Sequence, residues 1–468
     1  MFVYNNCRAD VRVLKEAAVL REAGHEVRIV AILDATTEPH ETKDGIRVDR
    51  IDRNPPHYTL LRVSRRGRRA IRLSRARLLR ATRGRLRRIA RRRARLTRRL
   101  ERRYRRFTRR PAAAAPTAAA PAAARGPAAE QVVEVTRLDT PTAQRQRPLL
   151  ERALLVMHRP LMFMDFYWRA LQLCRREPSD VYHAHDLNTL PVAVAASRAT
   201  GGRLIYDAHE LYTEISTLSA RERFVWRQLE RLLIRRADAR LSVCDSIADE
   251  LASRYGVPKP RVLLNCPERT PAVALRPHAL RQAAGIDGGT PLVLYQGGFA
   301  PHRGLEQLVL AAEHMNGATL VLMGWGRIED DLRRLVAVRR LDDRVRILPP
   351  VSQQDLLSFT AGADVGVIPY QAVGLNNFYT TPNKLFEYMA AGVPIAASRF
   401  PELIRFVEGL EIGSTFDERD PLDIARTISA LLADDGAREA MRQRALDAAE
   451  RFSWEREREK LVDLYATL

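Results

Sequence analysis

The stretch TTPNKLFEYMAAGVPIAAS, residues 380–398, decides the fold class of this chain. Asn383 and Lys384 open a helix, Gly392 ends it, and Pro394 starts an apolar strand. A helix that turns within two residues into a buried strand is one half of a strand-helix-strand unit, the repeating element of a parallel sheet.

The same alternation extends upstream. PLVLYQGGF (291–299), ATLVLMGWG (318–326), VRILPPV (345–351) and DVGVIPY (364–370) read as strands. GLEQLVLAAEHM (304–315), EDDLRRLVAVRR (329–340) and SQQDLLSFTAGA (352–363) read as the helices between them. Earlier, residues 11–27 place Val13, Ala17 and Leu20 at helical spacing and stop at Gly24. MFVYN (1–5), HEVRIVAIL (25–33), GIRVDRI (45–51), SDVYHAHD (179–186), RLIYDAHE (203–210), ARLSVCD (239–245) and RVLLNCPE (261–268) are strands. LNTLPVAVAASRATG (187–201), RERFVWRQLERLLIRRA (221–237) and the Ser-capped SIADELASRYG (246–256) are helices, and 267–290 is loose. The prediction is an α/β protein of two Rossmann-like, doubly wound domains facing a cleft, residues 1–270 and 271–450. Residues 451–468 form a C-terminal helix that packs back on the first domain.

Residues 60–130 interrupt this order. Between Arg62 and Arg110 there are 25 arginines, no lysine and one acid, against a formal charge of +22 for the whole chain. The rest of the chain is therefore close to neutral, and its basic pI describes one segment. Leu86, Ile89, Leu96, Leu100, Tyr104 and Phe107 form a helical stripe broken by Arg93, and a Pro/Ala tract follows. Three roles compete for this Arg-rich helical or disordered insert: a biased tract with no special role, a basic helix lying on an anionic membrane surface, and a nucleic-acid arm. The last is the weakest, because Tyr104 and Phe107 are its only aromatics. The aromatic run LMFMDFYW (161–168) suits core packing better than contact with a bilayer.

With 46% hydrophobic and 29% charged residues the chain has material for real cores. Cys7, Cys174, Cys244 and Cys266 show no metal-ligand or redox spacing, which points to a reduced, cytoplasmic setting. The first ten residues carry no secretion signal, and the short first strand leaves open a start upstream of Met1. No run of about 18 apolar residues predicts a membrane span.

Candidate chemistry sits at strand ends. Gly297 and Gly298 let a phosphate approach the backbone, the next helix start favours an anion, and Arg303 reaches diphosphate oxygens. A Gly-rich turn with a surface arginine explains the same residues. Asn383 and Lys384 make a second anion-favouring helix start, and Glu387 stands one turn in, spaced to accept from a ribose diol. A solvated Lys384 and a first-turn carboxylate is the equal alternative. His185 with Asp186, and His209 with Glu210, end two strands where cleft residues belong. Of His183 and His185, the expectation assigns only one to the cleft side.

Together these segments resemble a GT-B glycosyltransferase of the retaining family 4, group 1 type, over nearly the whole chain except 60–150. The resemblance rests on DVRVLKEAAVLREAGHEV, DVYHAHDLNTLPVA, YDAHE, ADARLSVCDSIADEL, YQGGFAPHRGLEQL, ADVGVIPY, PNKLFEYMAAGVPIAAS and FSWEREREKLVDLY in that order. It implies a nucleotide-sugar donor held mainly by the second domain, and a sugar or lipid-linked acceptor on the first. Arg303 matches the family's basic residue facing the diphosphate, Glu387 the second Glu of its E-x7-E motif, and His209 the histidine near the transferred sugar. The implied catalytic set is His209, Arg303 and Lys384; the donor set is Gly297, Gly298, Arg303, Asn383, Lys384 and Glu387; His185, Asp186 and Glu210 belong to the acceptor side. Two positions depart: Tyr379 stands where the first Glu of E-x7-E falls, and Gly298 where the loop arginine is common. Lys384 is the candidate replacement for that charge. The expected reaction is retaining transfer to an acceptor hydroxyl in cell-surface polysaccharide or glycolipid synthesis, at the inner face of the cell membrane. No cofactor or metal is expected, since no D-x-D spacing occurs. A sugar-nucleotide epimerase of the same fold, and a nucleic-acid- or membrane-binding protein, are the alternatives.

Overall fold

The computed structural model describes residues 1–8, 10–53, 157–269, 278–286, 288–315 and 317–468. The Arg-rich insert and its three candidate roles lie outside the described residues. Met1–Arg53 and Phe166–Leu468 form one compact unit, and Asn54–Asp165 form another. Every described strand belongs to the first unit.

The first half of that unit begins with α1 (Val11–Glu22), β1 (Arg28–Ile32), β2 (His40–Lys43) and β3 (Ile46–Ile51). After α2 (His158–Arg176) come β4 (Val181–His185), α3 (Leu190–Thr200), β5 (Arg203–Ala208), α4 (Ala220–Leu233), β6 (Ala239–Ser242), α5 (Asp245–Tyr255) and β7 (Arg261–Val262). β1 pairs with β3 in parallel, and β4 to β7 pair in sequence, also in parallel. The expected first strand is reduced to a ribbon around Phe2, which bridges Val30 of β1 and Ala184 of β4 and so joins the two groups of strands. The order around that ribbon reverses direction, which places a crevice at the carboxyl ends of the ribbon and β4. Among the described residues β2 is the one antiparallel partner in this sheet, a short exposed edge strand.

The second half holds α6 (His278–Ala284), β8 (Leu292–Gln296), α7 (Leu305–Ala311), β9 (Thr319–Met323), α8 (Glu329–Arg339), β10 (Val345–Leu348), α9 (Leu356–Thr360) and β11 (Val365–Ile368). It continues with α10 (Leu375–Phe378), α11 (Asn383–Ala390), β12 (Ile395–Ser398), α12 (Pro401–Val407), β13 (Gly413–Phe416), α13 (Pro421–Ala433) and α14 (Asp435–Arg451). Its six strands are all parallel, in the order β10-β9-β8-β11-β12-β13. That is the doubly wound arrangement, with its switch point between β8 and β11. β8 and β9 are buried along their full length, as a sheet covered by helices on both faces requires.

The last helix, α15 (Trp454–Ala466), lies on α1. Trp454, Leu461 and Leu464 join Val13, Ala17 and Leu20 in one core, and the Tyr465 hydroxyl meets His183 Nδ1 at 2.9 Å. The two halves also meet directly. Leu211 N donates to Asn376 Oδ1 at 2.8 Å, Thr381 Oγ1 to the Val243 carbonyl at 3.3 Å, and Ser246 N to Glu402 Oε1 at 2.7 Å.

Several local expectations change. The stretch thought loose contains α6. Ser246 does not cap α5, which starts one residue earlier; its amide is held by Glu402 across the domain boundary. Pro160 stands in the first turn of α2, where a missing amide donor is harmless. In the aromatic run Phe166 is fully buried, while Trp168 is 63% exposed. The four cysteines are free and buried. Among the described residues no helix is long and apolar enough to cross a membrane.

Candidate functional site

A cavity of about 940 Å³ opens between the two halves, at the carboxyl ends of both sets of strands. Its size is that of a small-molecule site. On the second-half side it is lined by Gly297, Gly298, Arg303, Asn383, Lys384 and Glu387, and on the first-half side by His209 and Glu210. His185 does not reach it: the ring is buried behind His209. Asp186 is likewise outside the lining.

Lys384 is the unusual group. Its side chain is 6% exposed, and Nζ has no hydrogen-bond partner. Nζ lies 3.6 Å from the centroid of Tyr295 and 5.2 Å from that of Tyr370. Two aromatic faces thus carry the cation, which is weaker than solvation by water. Burial drives the Lys384 amine well below its ordinary value, and Arg303 pushes it further the same way. The Arg303 guanidinium stacks on the other aromatic, 4.1 Å from the Tyr370 centroid. Gly297, at φ +120°, closes the pocket above: a Cβ there would meet Lys384 Nζ at 3.3 Å. Two cations near one glycine turn, one of them unpartnered and buried, form a receptor for a multiply charged anion. α7 contributes little dipole, since it begins only at Leu305 and runs seven residues.

Glu387 accepts from Gln296 Nε2 at 2.5 Å, and Gln296 Oε1 accepts from Thr360. Burial raises the Glu387 carboxyl, against the pull of Gln296 and Lys384. Asn383 is tied across the cleft to Asn265 at 3.0 Å. Tyr379 caps the end of α10 and does not line the cavity; its carbonyl accepts from Cys244 Sγ at 3.1 Å. Asn376 and Asn377 face the cavity instead. Trp325, in the turn after β9, lines the rim at 62% exposure.

On the opposite wall stands a buried polar network. Arg12 donates from Nε and Nη2 to Asp207, at 3.1 and 2.9 Å, and its Nε lies 2.9 Å from Glu16 Oε1. Asp207 Oδ2 also meets His209 Nε2 at 3.1 Å. His185 Nδ1 reaches the same His209 nitrogen at 3.1 Å. His209 Nε2 is thus engaged, and Nδ1 is left for a ligand, with Asp186 Oδ2 at 3.8 Å. Burial alone would lower His209, but Asp186 and Asp207 outweigh it and hold the imidazole at about 9. Burial lowers His185 to about 4. Glu210 is raised to about 7 by burial and by Asp186, and accepts from Asn376 Nδ2 at 3.2 Å. Asp186 holds a left-handed backbone at φ 66°, and its carboxylate accepts from His209 N at 3.0 Å. Such a backbone is strained for a residue with a Cβ and is often found at functional sites.

Glu16, His185, Asp207 and His209 bring ligand atoms within 4.8 Å of one another. These are metal-ligand types, but Arg12 already lies 2.9 Å from an oxygen of each carboxyl group, and the two imidazoles bond to each other. His183 and His185 do not split between two sides as expected. Residues two apart in a strand share a face, and their rings stack at 4.2 Å above the same Asp207. Sequence reasoning missed Arg12, Glu16 and Asp207. A charged pair four apart on the inner side of α1 was the available signal.

The site and the two doubly wound halves define a GT-B fold protein. Two family models match consecutive parts of the chain: "Glycosyl transferase 4-like domain" over residues 89–267 and "Glycosyl transferases group 1" over 290–434. Together they cover more than half of it, and the chain belongs to the group 1 glycosyl transferases. Among relatives, it is 29% identical over 257 residues to the D-inositol 3-phosphate glycosyltransferase of Xylanimonas cellulosilytica, which covers 51% of this chain and 58% of that one. Less than two thirds of that relative is therefore matched. Among solved structures, sucrose-phosphate synthase from Thermosynechococcus elongatus superposes with a TM-score of 0.67 at 16% identity, covering 100% of this chain and 97% of the other. Anabaena HepE, solved in complex with UDP-glucose, gives a TM-score of 0.56 at 18% identity over 65% and 82% of the two chains. At these identities the structural likeness concerns the fold.

Proposed function

We propose that this chain is a retaining glycosyltransferase that moves a sugar from a nucleoside diphosphate sugar to an acceptor hydroxyl. The observation that carries the reading is the buried, unpartnered Lys384 Nζ beneath Gly297, with Arg303 beside it. An amine so placed gains most from an anion that brings its own charge into the site. A donor diphosphate supplies that charge, and Glu387, one turn along α11, accepts from the ribose. The UDP-glucose complex of Anabaena HepE supports a nucleotide sugar as the ligand class.

In the transfer, the bond between the anomeric carbon and the diphosphate oxygen breaks. Arg303 and Lys384 stabilise the negative charge that develops on the departing diphosphate. The acceptor oxygen bonds to the same carbon on the same face, and its proton passes to the leaving phosphate oxygen. His209, held cationic, donates from Nδ1 to a sugar hydroxyl. Glu210 stands on the acceptor side of the cavity, and Asp186, outside the lining, fixes the His209 amide. The chemistry asked of these residues needs neither a metal nor a cofactor. The Arg-rich residues 62–110 fit attachment to an anionic membrane, which suits a lipid-linked acceptor in surface polysaccharide or glycolipid synthesis.

The test is a thermal-shift screen of nucleotide sugars, followed by donor hydrolysis and transfer with Arg303→Ala and Glu387→Ala. Each variant should lose binding of the donor that stabilises the wild type. Unchanged turnover in both would remove the donor site from this cavity.

A further inference from the structure

The outer face of α4 inverts the usual pattern of a surface helix. Phe224, Val225 and Leu232 are 64%, 54% and 67% exposed. They fall on one stripe with exposed Arg221 and Arg231, at steps of three and four; Arg235, just past the helix end, continues the stripe but donates to the Tyr255 carbonyl at 2.8 Å. The helix carries two acids, and both are engaged elsewhere. Glu222 closes the capping box with Ser219. Glu230 is buried, accepting from the Tyr206 and Tyr255 hydroxyls at 2.7 and 2.6 Å. The outer stripe is therefore apolar and basic, with no acid of its own.

The inner side of α4 is firmly held. Trp226 is buried edge-on to Tyr212 at 5.4 Å between centroids, and Arg223 and Arg227 both pair with Glu214. Tyr212 and Glu214 belong to the short turn that directly follows Glu210 on the cleft wall. The exposed stripe is thus fixed to the wall of the cavity opposite the donor residues.

We propose that the outer face of α4 docks on an anionic lipid surface, placing the acceptor side of the cleft next to the membrane. The arginines match the charge of acidic headgroups, and the three apolar side chains between them enter the hydrocarbon boundary. A second copy of the chain fits less well. A two-fold contact through this face would set the arginines of one subunit against the same arginines of the other. Nucleic acid fits less well too, because Phe224 is the one ring on the stripe and Val225 and Leu232 give a base nothing to stack on.

The test uses the full chain and reads contact at α4 itself, without donor or turnover, so it stands or falls apart from the proposed activity. Gln228, exposed within the stripe, is replaced in Gln228→Cys and labelled with an environment-sensitive fluorophore; the four natural cysteines are buried. The expected result is a blue shift on vesicles containing phosphatidylglycerol and none on phosphatidylcholine alone. A label at Val338→Cys, 78% exposed in the second half, should not respond. Adding Phe224→Ser and Leu232→Ser should weaken the response at least about 10-fold while the thermal melt stays in place. Cosedimentation with vesicles without a shift at 228 would overturn the proposal and assign lipid contact to another segment, such as residues 62–110. A shift produced by single-stranded DNA, or by raising protein concentration alone, would overturn it in favour of nucleic acid or self-association.

Discussion

Asp207 Oδ2 stands 3.1 Å from His209 Nε2, so a fully buried carboxylate orients the one imidazole that, among the described residues, reaches the cavity. Burial would raise Asp207, but Arg12 and then His209 pull it well below the ordinary carboxylate range. It therefore stays ionised and keeps His209 protonated. His209 has an ordinary value of 6.5 and is held at about 9. Its contribution to folding stability is complete below about pH 6.5 and is lost as pH rises through about 9. If the cation is what meets the sugar, kcat/KM falls across the same upper window. Asp207→Asn removes one of the two carboxylates that hold the proton. The descending limb of the pH profile should then move to lower pH, by roughly one unit or more. An unmoved limb would assign it to another group.

Arg12 should behave as a structural cation. Arg12→Met takes from the buried Asp207 the bidentate one of its two counter-charges, leaving only His209, and should cost about 3–5 kcal/mol of stability. Arg12→Met with Asp207→Asn should cost less than the two singles summed, because the second change removes the charge that the first one strands. Urea unfolding of the four proteins measures the coupling. Additive losses would mean that the contact contributes little.

Lys384 predicts the opposite relation between stability and binding. An unpartnered buried amine opposes folding, so Lys384→Met should leave the ligand-free protein as stable as the wild type or more so. The same variant should bind a nucleoside diphosphate about 10- to 100-fold more weakly, the loss of one charged hydrogen bond. Because burial and Arg303 hold the amine well below its usual 10.5, an arriving diphosphate should raise it again. Binding should then take up a proton in the wild type wherever the ligand-free amine is deprotonated, and less of one in Lys384→Met. Calorimetry in buffers of different ionisation enthalpy reads that uptake.

The two halves of the fold were legible because most strands are apolar runs ended by a turn and followed by a helix; the exposed β2, His40–Lys43, has no such pattern. Where the strand was short, as at Phe2, pairing on both sides compensates for length, and no local pattern shows that. The donor wall was legible for a similar reason. Gly297 and Arg303 sit in the turn directly after β8, and Lys384 and Glu387 in the first turns of α11, whose start and Gly392 end are marked in the sequence. The opposite wall was not. Arg12 and Asp207 are 195 residues apart, and each looks locally like an ordinary polar residue in an amphipathic element. The stripe on α4 was hidden by the same ambiguity. Phe224, Val225 and Leu232 are apolar residues in a helix, and only the packing of Trp226 and Glu230 shows which side turned inward.

Glu387 offers a test in which ligand and protein are altered together. Its partner Gln296 holds one carboxylate oxygen at 2.5 Å, which leaves the other for a ligand in the cavity. If that oxygen accepts from a ribose diol, the wild type should prefer a ribonucleoside diphosphate over its 2′,3′-dideoxy counterpart. A hydrogen bond to a charged group contributes about 1.5–3 kcal/mol, so the preference should be about 10- to 150-fold. Glu387→Gln keeps the size but loses the charge and should cut the preference; Glu387→Ala should abolish it. The dideoxy ligand should bind all three proteins more nearly alike, since it has no hydroxyl for the carboxylate to hold. Titration of both ligands against the three proteins closes a cycle in which only the Glu387–ribose term survives. A preference that persists in Glu387→Ala would place the ribose elsewhere in the cavity.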